Sequence, residues 1–167
     1  MGASLFDEGG GGASQAWFTS EYKRVGVRWD GIFAYEQIGY HPADVFARIP
    51  PQLKPVYHWY NIPVSAEVGH ADNVWEHVKA VANRNDYVVV KLDIDNTLLE
   101  EALVAQMVGP GGDDLLQLID EFYFEHHVHT RPMDIYWGTQ NSPSRLADSY
   151  ALLSKLRSRG VKAHAWV

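Results

Sequence analysis

The chain has 167 residues, 46% hydrophobic and 13% aromatic, enough for a single domain that buries a core. Its net charge of −7 and pI near 5.5, with no basic stripe, argue against a phosphate-backbone binder, so no nucleic acid is expected as a partner. The absence of cysteine excludes disulfides, thiolate nucleophiles and zinc-thiolate sites. The lack of a long apolar run or a signal-peptide pattern predicts a soluble domain without a membrane segment, its compartment left unassigned.

Met1 to Glu8 and the run Gly9 to Gly12 make a glycine-rich opening, followed by a helix candidate from Ala13 to Arg24 that carries Trp17, Phe18 and Tyr22. Gly31 to Glu36 reads as a short buried strand ending in an acid. Pro50, Pro51 and Pro55 break regular structure before Val56 to Val64, an aromatic strand that Pro63 interrupts or ends. Asn73 is placed to cap a helix reaching Asn83, with Val74, Val78 and Val81 on one face.

Tyr87 to Glu101 is the most informative stretch. Val88, Val89, Val90, Leu92 and Ile94 predict a strand covered on both faces, and it delivers Asp93 and Asp95 directly into a helix start. In parallel α/β sheets ligands gather beyond the carboxyl ends of strands, where these two acids lie. Strand alternation puts Lys91, Asp93 and Asp95 on one face, so Lys91 can pair with Asp93. A structural ion pair with Asp95 or Asn96 as helix cap is the competing reading.

Thr97 to Met107 is the next helix candidate, closed by Gly109 to Gly112, and Asp113 to Leu118 a short one. Ile119 to Val128, rich in aromatics, predicts a strand. Ser144 is placed to cap a helix in which Leu146, Tyr150, Leu153 and Leu156 follow helical spacing; Gly160 ends it and Val161 to Val167 reads as a last strand. Alternating units of this kind predict an α/β fold with a doubly wound, mainly parallel sheet and right-handed crossovers.

Glu125-His126-His127-Val128-His129 is a second chemical focus, because imidazoles titrate near neutrality and can accept a proton or bind a metal. Alternation groups His127 with Glu125, Tyr123 and Glu121, and His126 with Phe124 and Val128, so at least one histidine is expected to be structural. His127 and His129 have the spacing of two ligands facing one metal, but no metal is assigned. His41, His58 and His164 are isolated. Trp59, Trp75, Trp137 and Trp166 read as core or pocket-wall residues, and Tyr136-Trp137-Gly138 as a loop that could wall a substrate.

The chain resembles the Rossmann-type methyltransferase-like family, in its divergent FkbM-like branch. The likeness rests on Gly2-Ala-Ser-Leu-Phe6, Ala16-Trp-Phe18 with Tyr22, Ile32-Phe-Ala-Tyr-Glu36, Lys91-Leu-Asp-Ile-Asp-Asn96, Ile119 to Val128 and Gly160 to Val167. It implies S-adenosylmethionine as cofactor, approached by Gly2, Ala3 and Ser4, with Glu36 on the ribose hydroxyls and Asp93 and Asn96 also at the cofactor. Asp93, Asp95 and His127 are the implied catalytic residues, with Asp95 and Asn96 lining the methyl-transfer mouth, and O-methyl transfer to a small-molecule or glycan hydroxyl the implied reaction. That scheme requires no metal. The sequence opens at the glycine motif, lacks a second glycine at the usual spacing and has Asn96 where glycine is common, so a sheet with its first strand missing is expected. One alternative is a degenerate methyltransferase-like domain that binds without turnover. Asp93-Ile-Asp-Asn-Thr97 is also similar to the motif of haloacid-dehalogenase-like phosphatases, which implies magnesium, Asp93 as nucleophile and Asp95 on the leaving-group proton; that motif ordinarily ends the first strand, whereas here strand candidates precede it.

Overall fold

The computed structural model describes residues 1–8, 14–140 and 142–166; the Gly9 to Gly12 run, Ala13 and Val167 lie outside them. The described residues alternate helices with parallel strands, in two compact units, Met1–Val64 and Ser65–Val167.

In the first unit, α1 (Ser14–Arg24) is followed by β1 (Ile32–Tyr35), α2 (Pro42–Arg48) and, after a 3-10 turn at Lys54–Val56, β2 (Tyr57–Tyr60). The strands pair in parallel from Ile32 opposite Tyr57 to Tyr35 opposite Tyr60. Stacked cross-strand rings, Phe33 on His58 at 4.8 Å and Tyr35 on Tyr60 at 4.7 Å, support this ladder. The core joins Ala3, Leu5 and Phe6 to Ala34, Val45, Ile49 and Tyr57. Helix α2 was not expected among the prolines. Pro42 fits the first helical turn, where its missing N–H costs nothing, and His41 caps the end by accepting from the Ala43 N–H.

The second unit runs α3 (Val74–Val81), β3 (Val89–Leu92), α4 (Thr97–Val108), α5 (Asp113–Leu116), β4 (Glu121–Phe124), α6 (Asp134–Trp137), α7 (Leu146–Ser158) and β5 (Lys162–Ala165). Its parallel sheet has the order β3-β4-β5, with Leu92 opposite Phe124 and Phe124 opposite Ala165. Leu92, Phe122, Leu103, Met107 and Leu156 are fully buried, so β3, the middle strand β4 and the inward faces of α4 and α7 make the core. Asn73 caps α3 as expected, accepting from the Trp75 N–H while its amide donates to the Glu67 carbonyl and to Gln106. The Trp75 indole is buried and donates to the Leu103 carbonyl at 2.9 Å. Gly112 is required by close approach: a Cβ there would meet the Met107 carbonyl oxygen at 2.2 Å. Arg145, not Ser144, occupies the cap position of α7, its N–H held by the Asp148 carboxylate.

The expectation of one doubly wound Rossmann sheet is corrected: the parallel strands form two small sheets, β1-β2 and β3-β4-β5. The physical reason is that, among the described strands, β1 pairs only with β2 and β3 only with β4, so each ladder closes within its own unit. The strands are also shorter than the apolar runs that predicted them, four residues each, because pairing rather than hydrophobicity sets their ends. Among the described residues no helix is long and apolar enough to cross a membrane.

Asn73→Ala removes a helix cap worth about 0.5–2 kcal/mol and two part-buried hydrogen bonds, to the Glu67 carbonyl and to Gln106, worth about 0.5 kcal/mol each. Urea unfolding followed by circular dichroism should show a loss of about 1.5–3 kcal/mol, against little change for Asn85→Ala on the exposed turn after α3.

Candidate functional site

In the first unit the backbone brings Gly2, Ala3, Ser4 and Glu36 together, whereas Asp93 and Asn96, also expected at the cofactor, belong to the second unit. Tyr35 directs its carbonyl away from β2, because the next residue, Glu36, uses its N–H toward the Tyr60 carbonyl and successive residues alternate. Ala3 meets that carbonyl with its N–H at 3.0 Å, so the amino-terminal segment lies along the other edge of β1. Gly2 and Ser4 both have positive φ, 67° and 52°, so the chain turns sharply there. The buried Glu36 carboxylate accepts from the Ser4 N–H at 2.9 Å with Oε2 and from the Ile38 N–H at 2.8 Å with Oε1.

Two supporting residues were not singled out in the sequence. Gln15 donates to the carbonyls of Ala3 and Ser4 and accepts from the Tyr57 hydroxyl, whose pKa burial pushes up. Asn61 donates to the carbonyls of Glu36 and Ile38 and accepts from the Tyr40 N–H. Both are polar residues without periodicity or motif, so only the folded backbone reveals what they hold.

In the second unit the ends of β3 and β4 leave the sheet side by side, and Glu125 continues the ladder by donating its N–H to the Leu92 carbonyl. Lys91 Nζ lies 2.6 Å from Asp93 Oδ2, the pair that alternation predicted. Asp95 turns the chain with φ of 55° and points into solvent, its side chain 87% exposed. Asn96 caps α4, accepting from the Leu99 N–H.

His127 is buried at the centre of this group. Its Nε2 lies 3.0 Å from Glu125 Oε2 and 4.0 Å from Asp95 Oδ1. Its Nδ1 faces Thr97 Oγ1 at 3.3 Å and Glu100 Oε2 at 3.9 Å, and Trp137 stacks on the ring at 5.2 Å between centroids. Glu100 is fully buried on α4; its Oε1 accepts from the Ile94 N–H at 2.7 Å, while Oε2 has no hydrogen-bond partner. Burial pushes the Glu100 pKa up to about 7 against the Ile94 bond. Burial favours the neutral His127 ring, but the Glu125 hydrogen bond and the charges of Glu100, Glu125 and Asp95 outweigh it and raise the pKa.

Glu100 was missed because a glutamate one turn into an apolar helix reads as a solvated position. Its signal was the helical spacing from Asn96 with Leu99, Leu103 and Met107 around it. His126 takes the structural role expected of one histidine, stacked on Phe124 at 4.9 Å, and burial lowers its pKa. His129 does not join His127; its Nδ1 lies 2.9 Å from Asp134 Oδ2. Asp134 also accepts from the Thr130 N–H and the Thr139 hydroxyl and closes the loop that carries Trp137. Tyr136 is exposed, so of the predicted loop wall only Trp137 reaches the site.

The cluster can therefore hold a proton between an imidazole and several carboxylates, or hold a cation, beyond the carboxyl ends of two parallel strands. No protein-family model, curated protein or solved structure matches the chain.

Asp134 supplies the pH-dependent test of this loop. Its burial raises the pKa, but the Thr139 and Thr130 hydrogen bonds and His129 hold it below the usual carboxylate value. A depressed folded pKa stabilises fully above the unfolded value near 3.9 and is lost as pH falls through the folded one. The stability gap between the wild type and Asp134→Asn, read from urea midpoints, should shrink as pH falls from 5 toward 3.

Proposed function

We propose that the chain is an S-adenosylmethionine-dependent methyltransferase of FkbM-like, Rossmann type, acting on a hydroxyl of a small molecule or glycan. One observation carries the reading: the acid ending β1, Glu36, grips the Ser4 N–H directly after Gly2 and Ala3, while Ala3 is hydrogen-bonded to β1 itself. A strand-end acid beside a glycine turn is the arrangement that recognises ribose and the groups attached to it. The donor chemistry fits the cofactor, because each Glu36 oxygen accepts one backbone N–H and keeps a further lone pair for a ribose hydroxyl.

The alternation of helices with parallel strands within each unit is compatible with this reading.

S-adenosylmethionine supplies an electrophilic methyl group when bound. The chain's part is to orient the acceptor and receive its proton, since positioning supplies much of the acceleration in such a transfer. His127 is the proton acceptor better placed for this, with carboxylates on both sides to stabilise the imidazolium. Asp93 Oδ2 is already engaged by Lys91 Nζ at 2.6 Å, so the geometry lends the phosphatase reading less support. A non-catalytic methyltransferase-like binding domain draws on a different observation: Glu36 is only 6% exposed.

Calorimetric titration of the chain with S-adenosylhomocysteine, with and without magnesium, tests the proposal. Saturable binding that ignores magnesium and weakens at least tenfold in Glu36→Ala is expected. A folded chain that shows no binding would sink the methyltransferase reading and leave the non-catalytic one.

A further inference from the structure

We propose that Asp95, Glu125 and His127 bind one divalent transition-metal cation, with Glu100 as the buried positioning residue behind the imidazole. The proposal goes beyond methyl transfer and stands on the second unit alone.

One nitrogen and two carboxylate oxygens from these residues lie within 4.8 Å of one another. The separations from His127 Nε2 are 3.0 Å to Glu125 and 4.0 Å to Asp95. Donors about 2.0–2.2 Å from a shared ion lie about 3–3.5 Å from each other, so Glu125 already stands at that spacing from the imidazole nitrogen and Asp95 stands just outside it. Asp95 is the donor that must move, and its exposed side chain is free to rotate inward by a fraction of an ångström. The backbone of Asp95 and the in-step end of β4 fix where the donors start from. An imidazole with two carboxylates suits manganese, iron or zinc better than magnesium or calcium, which favour all-oxygen shells.

The independent observation is Glu100. Its Oε2 is buried without a hydrogen-bond partner and faces His127 Nδ1 at 3.9 Å. An unpartnered carboxylate oxygen in the core is costly. It gains a purpose when Nδ1 carries the ring proton, because Nε2 then presents its lone pair to Glu125 and Asp95. Metal-binding histidines are oriented in this way, by a carboxylate or hydroxyl on the far nitrogen. Thr97 at 3.3 Å and the stacked Trp137 fix the ring plane from two further sides. The exposed Asp95 leaves an entry path from solvent. His129 with Asp134 offers nothing comparable, since the Asp134 carboxylate is already engaged by Thr130 and Thr139.

With a cation on Nε2, His127 is a ligand and no longer accepts a proton there, so occupancy of the site and a base role exclude each other. The test uses the full chain, stripped with a chelator and titrated calorimetrically with manganese chloride and, separately, zinc chloride. One saturable site per chain is expected for at least one of the two ions. Asp95→Ala and Glu125→Gln should each weaken it at least tenfold, and Glu100→Gln by about tenfold to a hundredfold, with unchanged circular dichroism. Asp95→Ala removes an exposed side chain, and Asp95→Asn, which tolerates the same positive φ, is measured beside it so that loss of the ligand is read apart from strain in the turn. No saturable binding to the folded chain, or binding unchanged in the Asp95→Ala/Glu125→Gln double variant, would overturn the site. Wild-type affinity in Glu100→Gln would overturn the positioning role.

Discussion

Everything chemical in the second unit depends on the register between β3 and β4. The two strands run parallel and end in step, Leu92 opposite Phe124, so the residues that follow leave the sheet at one level. That is why Asp95, just beyond the end of β3, meets Glu125 and His127, just beyond the end of β4, although about 30 residues separate them in sequence. A shift of one residue would turn every side chain of β4 to the opposite face and send His127 away from Asp95. Glu125 reinforces the register with its backbone bond to Leu92, and Phe122 and Phe124 lock it from the buried face.

The same packing sets the electrostatics. Three carboxylates, from Glu100, Glu125 and Asp95, surround one imidazole, and they differ sharply in exposure. Asp95 is solvated and costs little as an anion. Glu100 is in the core and resists ionisation, which is why burial dominates its titration. The result is a gradient from a reluctant carboxyl inside, through the imidazole, to a free carboxylate at the surface. A core that only needed stability would do better with an apolar residue at position 100, since a buried carboxyl with an empty oxygen opposes folding.

Much of this was legible in the sequence wherever one strong local rule decided the outcome. The Asn73 and Asn96 caps, the Lys91–Asp93 pair and the split of His126 from His127 follow from capping chemistry and period-two alternation, which need no tertiary information. Helix α2 escaped notice because three prolines nearby suggested only breakage, whereas Pro42 at a helix start is favoured. Gln15, Asn61 and Glu100 were invisible for a different reason: each is a single polar side chain whose partners are backbone groups or a ring distant in sequence. Metal-type grouping of His127 with His129 looked natural from spacing, but the chain leaves β4 at Phe124 and turns, so alternation no longer applies by position 129.

The split into two sheets has the same kind of origin, and it bears on how the first unit holds its amino-terminal segment. Parallel strands cannot be joined by tight hairpins, so the neighbour of a parallel strand comes from elsewhere in the chain. On β1 the edge away from β2 is met by Ala3, and the apolar residues just beyond, Leu5 and Phe6, are buried in the same core as Ala34 and Val45. Anchoring by burial on one side and by the Ala3 and Glu36 hydrogen bonds on the other fixes the turn at Gly2 to Ser4, although the segment forms no regular strand. The Glu36 carboxylate thus does structural work on the very backbone it would have to share with a ligand. Recognition of a ligand there, as proposed, would depend on the lone pairs that the Ser4 and Ile38 amides leave over, and would meet a backbone that these bonds already order.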